Sequence, residues 1–155
     1  MTEHLIETFD INNRINIYLL SSLEEEHLKD QAGSKGRTVG EQFAHIHNVR
    51  WMWLTEAGPD LMKNINKIDK EKPITKKLLE KELKASGEAI KKLIRTSYEN
   101  NNGKIRGFKP HCTAFIGYLI SHDSHHRGQI MLALKQSGHP VDKKIQYGIW
   151  EWGVR

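Results

Sequence analysis

Two histidines, His122 and His126, lie four residues apart in a segment whose apolar residues recur every three or four positions. At about 100° per residue, positions i and i+4 of an α-helix face nearly the same way. The spacing therefore predicts two imidazole rings side by side on the core-facing stripe of one helix. The apolar residues that share this face are Phe115, Leu119, Ile130 and Ala133.

A buried pair of imidazoles needs partners for its ring nitrogens, because burying an unpaired polar group costs free energy. A divalent cation can accept a lone pair from each ring, and it binds the neutral form that a buried histidine already prefers. The alternatives are a hydrogen-bonded pair in the core, or a helix rotated so that both rings reach water. For a pair centred on the apolar stripe, we favour metal binding.

Two imidazoles make a poor site for a divalent ion, so a third ligand from another helix is expected. The second helical segment offers His45 and His47, both at an edge of its apolar stripe, and periodicity alone favours neither. A di-iron carboxylate bundle is set aside, since Glu24–His27 is the only Glu-x-x-His sequence. Positions 122–126 read HDSHH, without the glutamate of a zinc peptidase.

Four helices would position these residues, because strand signals are weak and apolar residues recur at helical spacing throughout the chain. The predicted helices run from about 2 to 30, 38 to 58, 75 to 98 and 110 to 138, and a tail at 141–155 is expected to pack on them. Thr38 and Glu41 predict a capping box at the start of the second helix. The predicted fold class is all-α.

Polar residues interrupt the apolar face of the first predicted helix at Asn13 and Asn16. Buried amides need hydrogen-bond partners. We expect them to bond to the backbone or to each other, with a polar pocket near the histidines as the alternative. Gln129 lies on the same side of its helix as His126, where it could support a metal ligand.

Length and composition limit the class of protein. The 155 residues fit one domain, 1–155. A composition of 37% hydrophobic and 28% charged residues excludes collagen, coiled-coil and membrane proteins. The single cysteine, Cys112, forms no internal disulfide, and no secretory signal or membrane span is visible, so a cytoplasmic protein is expected. The net charge is +5, but lysines and acids are interspersed, so neither nucleic acid nor membrane is an expected partner.

The chain resembles the DinB-like family (DinB/YfiT) of metal-dependent four-helix-bundle proteins, and the resemblance spans essentially its whole length. The motifs that carry it are TVGEQFAHIHNVRWMWL, HDSHHRGQIMLAL and IQYGIWEW. The resemblance implies an up-down-down-up bundle with one metal-binding histidine in helix two and two in the last helix. By position these are His45, His122 and His126, and Asn16 matches an asparagine frequent in the family's first helix.

Relatives of understood activity use the metal for thiol chemistry, such as transfer of bacillithiol to an electrophile or isomerisation assisted by mycothiol. The resemblance therefore implies a divalent transition metal (zinc or nickel, with iron also suitable), a small-molecule substrate, a low-molecular-weight thiol and a homodimer. The predicted function is thiol-dependent S-transfer to small electrophiles at a Lewis-acid site, with Trp51, Trp53 or Tyr118 walling the cavity. The alternatives are a hydrolase that activates water, and a stress-responsive metal-binding module without catalysis. No residue is predicted as an internal nucleophile.

Overall fold

Four long α-helices account for most of the chain in the computed structural model, which describes residues 1–155. This predominance of helix confirms the predicted all-α class. None of the helices combines the length and apolar character that crossing a membrane requires. The helices are α1 (Thr2–Ser21), α2 (Val39–Ala57), α3 (Lys76–Asn100), α4 (Cys112–Gln136) and a short α5 (Lys143–Gly148), with 3-10 turns at Glu25–Lys29, Pro59–Leu61 and Trp152–Val154.

The first helix is shorter than predicted. It ends at Ser21, and the chain continues into the 3-10 turn Glu25–Lys29. The backbone N–H of Glu24 donates to His27 Nδ1 at 3.2 Å, which caps this turn as a separate element. Leu28 is nevertheless buried, so the apolar pattern continues past the end of α1 and made the helix look longer than it is.

A two-stranded hairpin between α3 and α4 was not predicted. Strand β1 (Lys104–Ile105) pairs antiparallel with β2 (Phe108–His111), and Gly107 in the connection has a φ of +78°, in the left-handed region that favours glycine. Strands of two and four residues are too short to produce a recognisable alternating pattern. The hairpin ends at His111, whose Nδ1 accepts from the N–H of Ala114 at 3.2 Å and so caps α4.

The predicted capping box fixes the start of α2. Thr38 Oγ1 accepts from the N–H of Glu41 at 3.2 Å, and Glu41 Oε2 accepts from the N–H of Thr38 at 2.7 Å. Two of the N–H groups that a helix leaves unpaired at its start are thereby satisfied. The cap sets the register of the helix that carries His45.

Helices α1 and α2 each pack against both α3 and α4, and the buried apolar side chains form two clusters. The first cluster joins the end of α1 to the starts of α2 and α3 and to the end of α4, through Leu19, Phe43, Leu79 and Leu134. The second joins the start of α1 to the ends of α2 and α3 and to the start of α4, through Phe9, Leu54, Ile94 and Phe115. Along each of the four helices, buried polar side chains lie between the residues of the first cluster and those of the second: Asn12, Asn13, Asn16, His47, Arg50, Ser86, Asp123, His126 and Arg127.

The C-terminal tail contacts α1 through Tyr18 and Arg14. The guanidinium of Arg155 lies 3.7 Å from the centre of the Tyr18 ring, and Arg14 Nη2 donates to the Arg155 carbonyl at 2.7 Å. Arg155 Nε also donates to the carbonyl of Gly148 in α5 at 3.0 Å. These contacts hold the tail on the helices, as the sequence predicts.

Candidate metal centre

Three histidines from two helices converge: His45 of α2 with His122 and His126 of α4. One nitrogen from each ring lies within 4.8 Å of the corresponding nitrogen of the others, an arrangement that could hold a metal ion. The ring centres are 5.1 Å apart for His45 and His122, 4.6 Å for His45 and His126, and 4.4 Å for His122 and His126. The structure thus brings together the three histidines that the family resemblance selects.

Two of these rings are strongly biased towards the neutral form. Burial, aided by the charge of Arg37, lowers the pKa of His45 to about 4. Burial, aided chiefly by His122, lowers the pKa of His126 to about 3. A neutral ring keeps the lone pair that a metal ligand must offer, so protons compete only weakly for these two nitrogens at neutral pH.

Hydrogen bonds from the remote ring nitrogens orient the pair on α4. His126 Nδ1 donates to Gln42 Oε1 at 2.6 Å, and His122 Nδ1 lies 3.5 Å from Asp123 Oδ1. A proton on Nδ1 leaves the Nε2 lone pair of each ring free for a ligand. The expected support from Gln129 is not observed, because Gln42 faces His126 from the neighbouring helix and occupies its Nδ1.

The Nε2 atom of His122 provides a test of whether a metal fits these residues. It is buried and has no hydrogen-bond partner. Leaving a buried polar atom unpaired costs about 1–3 kcal/mol. A cation coordinated by the three rings would remove this cost, and imidazole is a preferred ligand of zinc, nickel and iron. The residues present therefore fit a divalent transition metal.

His47, the alternative that periodicity left open, points into the helix packing instead. Its Nε2 donates to the carbonyl of Asn66 at 2.7 Å, and its Nδ1 lies 3.1 Å from both Ser86 Oγ and the Glu82 carbonyl. Burial lowers the pKa of His47. Both of its ring nitrogens are engaged by α3 and the loop before it, so His47 anchors that loop to α2.

Beside His122, the carboxylate of Asp123 is fully buried at the centre of a hydrogen-bond network. Its Oδ2 accepts from Arg50 Nη2 at 2.7 Å, from Asn12 Nδ2 at 2.8 Å and from Asn16 Nδ2 at 2.9 Å. Burial by itself would raise the pKa of Asp123, but the charge of Arg50 and the hydrogen bonds lower it to about 2. The carboxylate is therefore ionised and ties α1, α2 and α4 together next to a candidate ligand.

A second arginine completes the network. Arg127 Nη1 donates to Asn12 Oδ1 at 2.8 Å and to Asn16 Oδ1 at 2.6 Å. The expectation that Asn16 bonds to the backbone or to another asparagine is wrong, because two charged side chains of α4, Asp123 and Arg127, provide its partners. Asn12, which the sequence analysis did not single out, shares the same role. An asparagine on an apolar helix face was the available signal, but its partners lie on other helices.

Asn13 divides its bonds between a side chain and the backbone. Its Oδ1 accepts from Arg50 Nη1 at 2.6 Å, and its Nδ2 donates to the Leu83 carbonyl at 3.4 Å. The expected backbone bond is therefore present for Asn13, in addition to the link to Arg50. This side chain is closely packed, because a Cβ atom on Gly87 of α3 would lie only 2.9 Å from Asn13 Cγ.

Replacing Gly87 by alanine is expected to destabilise the protein by about 1–3 kcal/mol, since the added methyl group must displace Asn13 from Arg50. Gly117→Ala in α4 is the matched control, because nothing lies within 4 Å of its added Cβ and alanine favours helix by up to about 1 kcal/mol. Urea unfolding measures both free energies. A Gly87→Ala variant as stable as Gly117→Ala would show that the close approach of Asn13 to Gly87 does not contribute to stability.

The predicted cavity walls are only partly adjacent to the histidines. Tyr118 lies beside His122, with ring centres 6.3 Å apart, and Trp53 packs edge-on against Tyr118 at 5.9 Å. Trp51 makes no ring contact with the three histidines, and its ring centre lies 5.8 Å from Lys67 Nζ. Of the three predicted aromatic residues, Tyr118 is therefore the one beside His122, and Trp53 packs against Tyr118.

A cavity of about 800 Å³ opens beside His45, and the residues that line it are not the predicted aromatic ones. It lies between α2, the loop before α2 and the loop before α3, which together supply the lining side chains. Loop residues carry no periodicity, so only the folded chain shows that they meet at His45. Among the lining residues are Arg37, Asn48, Lys67 and Lys70.

The chain is similar in sequence to a known protein and to a family profile. No solved structure matches the chain. The chain is 22% identical over 143 residues to the uncharacterized protein YrdA of Bacillus subtilis (strain 168), covering 90% of this chain and 84% of YrdA. The sequence profile of the DinB family matches residues 1–147. With nearly its whole length matched, this helical protein with three converging histidines belongs to the DinB family.

Proposed function

We propose that the protein binds one divalent transition metal through a nitrogen of each of His45, His122 and His126. The observation that carries this proposal is the convergence of three rings from two helices, one of which has a buried and unpartnered Nε2. Zinc and nickel are the first candidates, and iron also suits three imidazoles. Membership of the DinB family supports the same role.

An ion held by three protein ligands supplies Lewis acidity at an open position, where it lowers the pKa of a thiol or a water molecule. The chain itself does the positioning. Gln42 and Asp123 orient the rings of His126 and His122, and the cavity beside His45 gives small molecules access from solvent. Tyr118 packs next to His122.

The reaction we propose is transfer of a low-molecular-weight thiol to a small electrophile. The sulfur forms a bond to an electrophilic carbon, the bond from that carbon to its leaving group breaks, and the thiol proton departs with the leaving group. The cavity volume of about 800 Å³ is within the range of small-molecule sites. Cys112 is buried and its pKa is raised by that burial, so the sulfur must come from a cosubstrate.

An assay of untagged, zinc-loaded or nickel-loaded protein tests this function. Glutathione, bacillithiol and coenzyme A are each offered with an alkyl halide, and the thioether is measured by mass spectrometry. We expect metal-dependent thioether formation that is lost in His122→Ala. Hydrolysis of an ester without any thiol would instead identify a hydrolase. Absence of both activities with every metal would identify a non-catalytic metal-binding module.

Gln42 is expected to contribute to metal affinity through its hydrogen bond to His126. Gln42→Ala should weaken metal binding by about 10- to 100-fold, the effect usual for partners that orient a ligand. Gln42→Glu keeps an acceptor for the Nδ1 proton and should restore most of the affinity. Competition with a chromophoric chelator measures both values. Gln129→Ala is the control, and an equal loss in that variant would refute the assignment to Gln42.

For the helix arrangement we propose the up-down-down-up order. The two apolar clusters support it, since the end of α1 meets the starts of α2 and α3 and the end of α4 in one cluster. For assembly we propose a homodimer, on the basis of the family resemblance. Size-exclusion chromatography with light scattering tests the dimer directly.

A further inference from the structure

The cavity beside His45 carries an excess of positive charge. Arg37, Lys67 and Lys70 line it, and Arg37 and Lys67 form no ion pair. Lys70 lies 3.8 Å from a carboxylate oxygen of Glu71, a loose contact between two exposed side chains. Such exposed pairs neutralise little charge.

The two acidic side chains that line the same cavity accept hydrogen bonds from backbone N–H groups. Glu41 accepts from the N–H of Thr38 in the capping box, and Asp69 accepts from the N–H of Glu71 at 3.0 Å. Neither carboxylate is paired with Arg37 or with a lysine of the cavity. Arg37 and Lys67 therefore form no ion pair, although Lys67 also lies over the ring of Trp51, and Lys70 is paired only loosely with Glu71.

The loop that carries Lys67 is held firmly against α2. Asn48 Nδ2 donates to the carbonyl of Ile68, and the Ile68 N–H donates back to Asn48 Oδ1, both at 2.9 Å. One residue before Lys67, Asn66 is bonded through its carbonyl to His47 and through its N–H to Glu82, at 2.7 and 3.2 Å. A wall fixed on both sides of Lys67 is preorganised for binding.

Arg37 lies in the loop before α2 and lines the same cavity as His45. Its positive charge favours an anion in the cavity and disfavours a cation. The guanidinium also matches the planar, two-oxygen geometry of carboxylate and phosphate groups.

We propose that the small molecule bound in the cavity beside His45 carries a carboxylate or phosphate group, which Arg37 and Lys67 hold. This proposal rests on the proposed function, since it specifies the ligand of the same site. Lys70 adds positive charge to the cavity. The reacting part of the molecule then lies towards His45, the histidine of the candidate metal centre that lines the cavity.

Calorimetric titration with inorganic phosphate and, separately, with succinate tests the proposal without requiring turnover. Wild-type protein is compared with Arg37→Gln/Lys67→Gln. Both altered side chains are exposed and form no ion pair, and the substitution at Lys67 removes only its contact with the ring of Trp51, so the fold should persist. The control, Lys143→Gln/Lys144→Gln, removes the same charge from α5. We expect about tenfold weaker binding in the cavity variant and no change in the control.

Equal weakening in both variants, or no measurable binding of either anion to wild-type protein, would overturn the proposal. The two anions distinguish a phosphate-bearing from a carboxylate-bearing ligand. In the turnover assay, coenzyme A should have a KM about tenfold lower than pantetheine, its uncharged thiol fragment, and this preference should disappear in Arg37→Gln/Lys67→Gln. Anion binding without thiol transfer would refute the proposed function alone, whereas transfer without any preference for charge would refute this inference alone.

Discussion

Replacing His126 by alanine is expected to eliminate stoichiometric metal binding, with a loss of affinity greater than about 100-fold. The variant keeps only two of the three converging rings and also leaves Gln42 without its partner. His45→Ala should have the same effect, because it removes the only ring supplied by α2. Elemental analysis of untagged protein after dialysis measures the bound metal.

His125→Ala provides the matched control for this prediction. His125 is exposed and next to His126, with ring centres 5.0 Å apart, but it is not one of the three converging rings. Metal content equal to wild type is expected in this variant. Metal at 100 times its dissociation constant should also stabilise the wild-type protein by about 2.7 kcal/mol, and this gain should vanish in His126→Ala. Stoichiometric metal in His126→Ala would contradict the proposed ligand set.

Arg50→Met is expected to be the most destabilising single substitution, at about 3–5 kcal/mol. Arg50 and Asp123 are both fully buried, so the substitution removes the only charged group paired directly with this carboxylate. Asp123 keeps the amide donors of Asn12 and Asn16, with His122 at 3.5 Å and Arg127 linked through the asparagines. The cost is that of a buried charge left without its direct partner. Urea unfolding of metal-free protein measures it and separates it from any effect on metal binding.

Arg95→Met is the control for the buried pair. Arg95 donates from Nη2 to Glu3 at 3.0 Å, but both side chains are exposed, so the expected cost is below about 1 kcal/mol. The contrast between the two arginines isolates the contribution of burial. A loss of less than 1 kcal/mol in Arg50→Met would mean that water or a rearrangement stabilises Asp123 once its partner is removed.

The buried network and the candidate metal centre are physically adjacent. Asp123 is bonded to Arg50 and to two asparagines of α1, and it follows His122 directly in α4. A side chain fixed by three hydrogen bonds holds this turn of α4 in place, and with it the ring of His122. Stability and metal affinity are therefore expected to decline together when Asp123 is altered, whereas Arg95 affects neither.

The sequence by itself determined the helical class and the pair on α4. His122 and His126 share a helix face because four residues make about one turn, and this relation is local. The capping box at Thr38 is equally local, and the structure contains it. The family resemblance, a property of the sequence as well, selected His45 where periodicity was neutral.

Only the tertiary structure decided how the remaining polar residues are paired. The partners of Asn16 lie on α4, and those of His47 lie on α3 and the loop before it. The cavity at His45 is formed by α2 together with two loops. Helical periodicity predicts the direction in which a side chain faces on its own helix. It does not predict how the neighbouring helix is rotated about its axis or how closely it packs. Hydrogen bonds require an accuracy of a few tenths of an ångström between such elements, and that accuracy is set by packing of the whole chain.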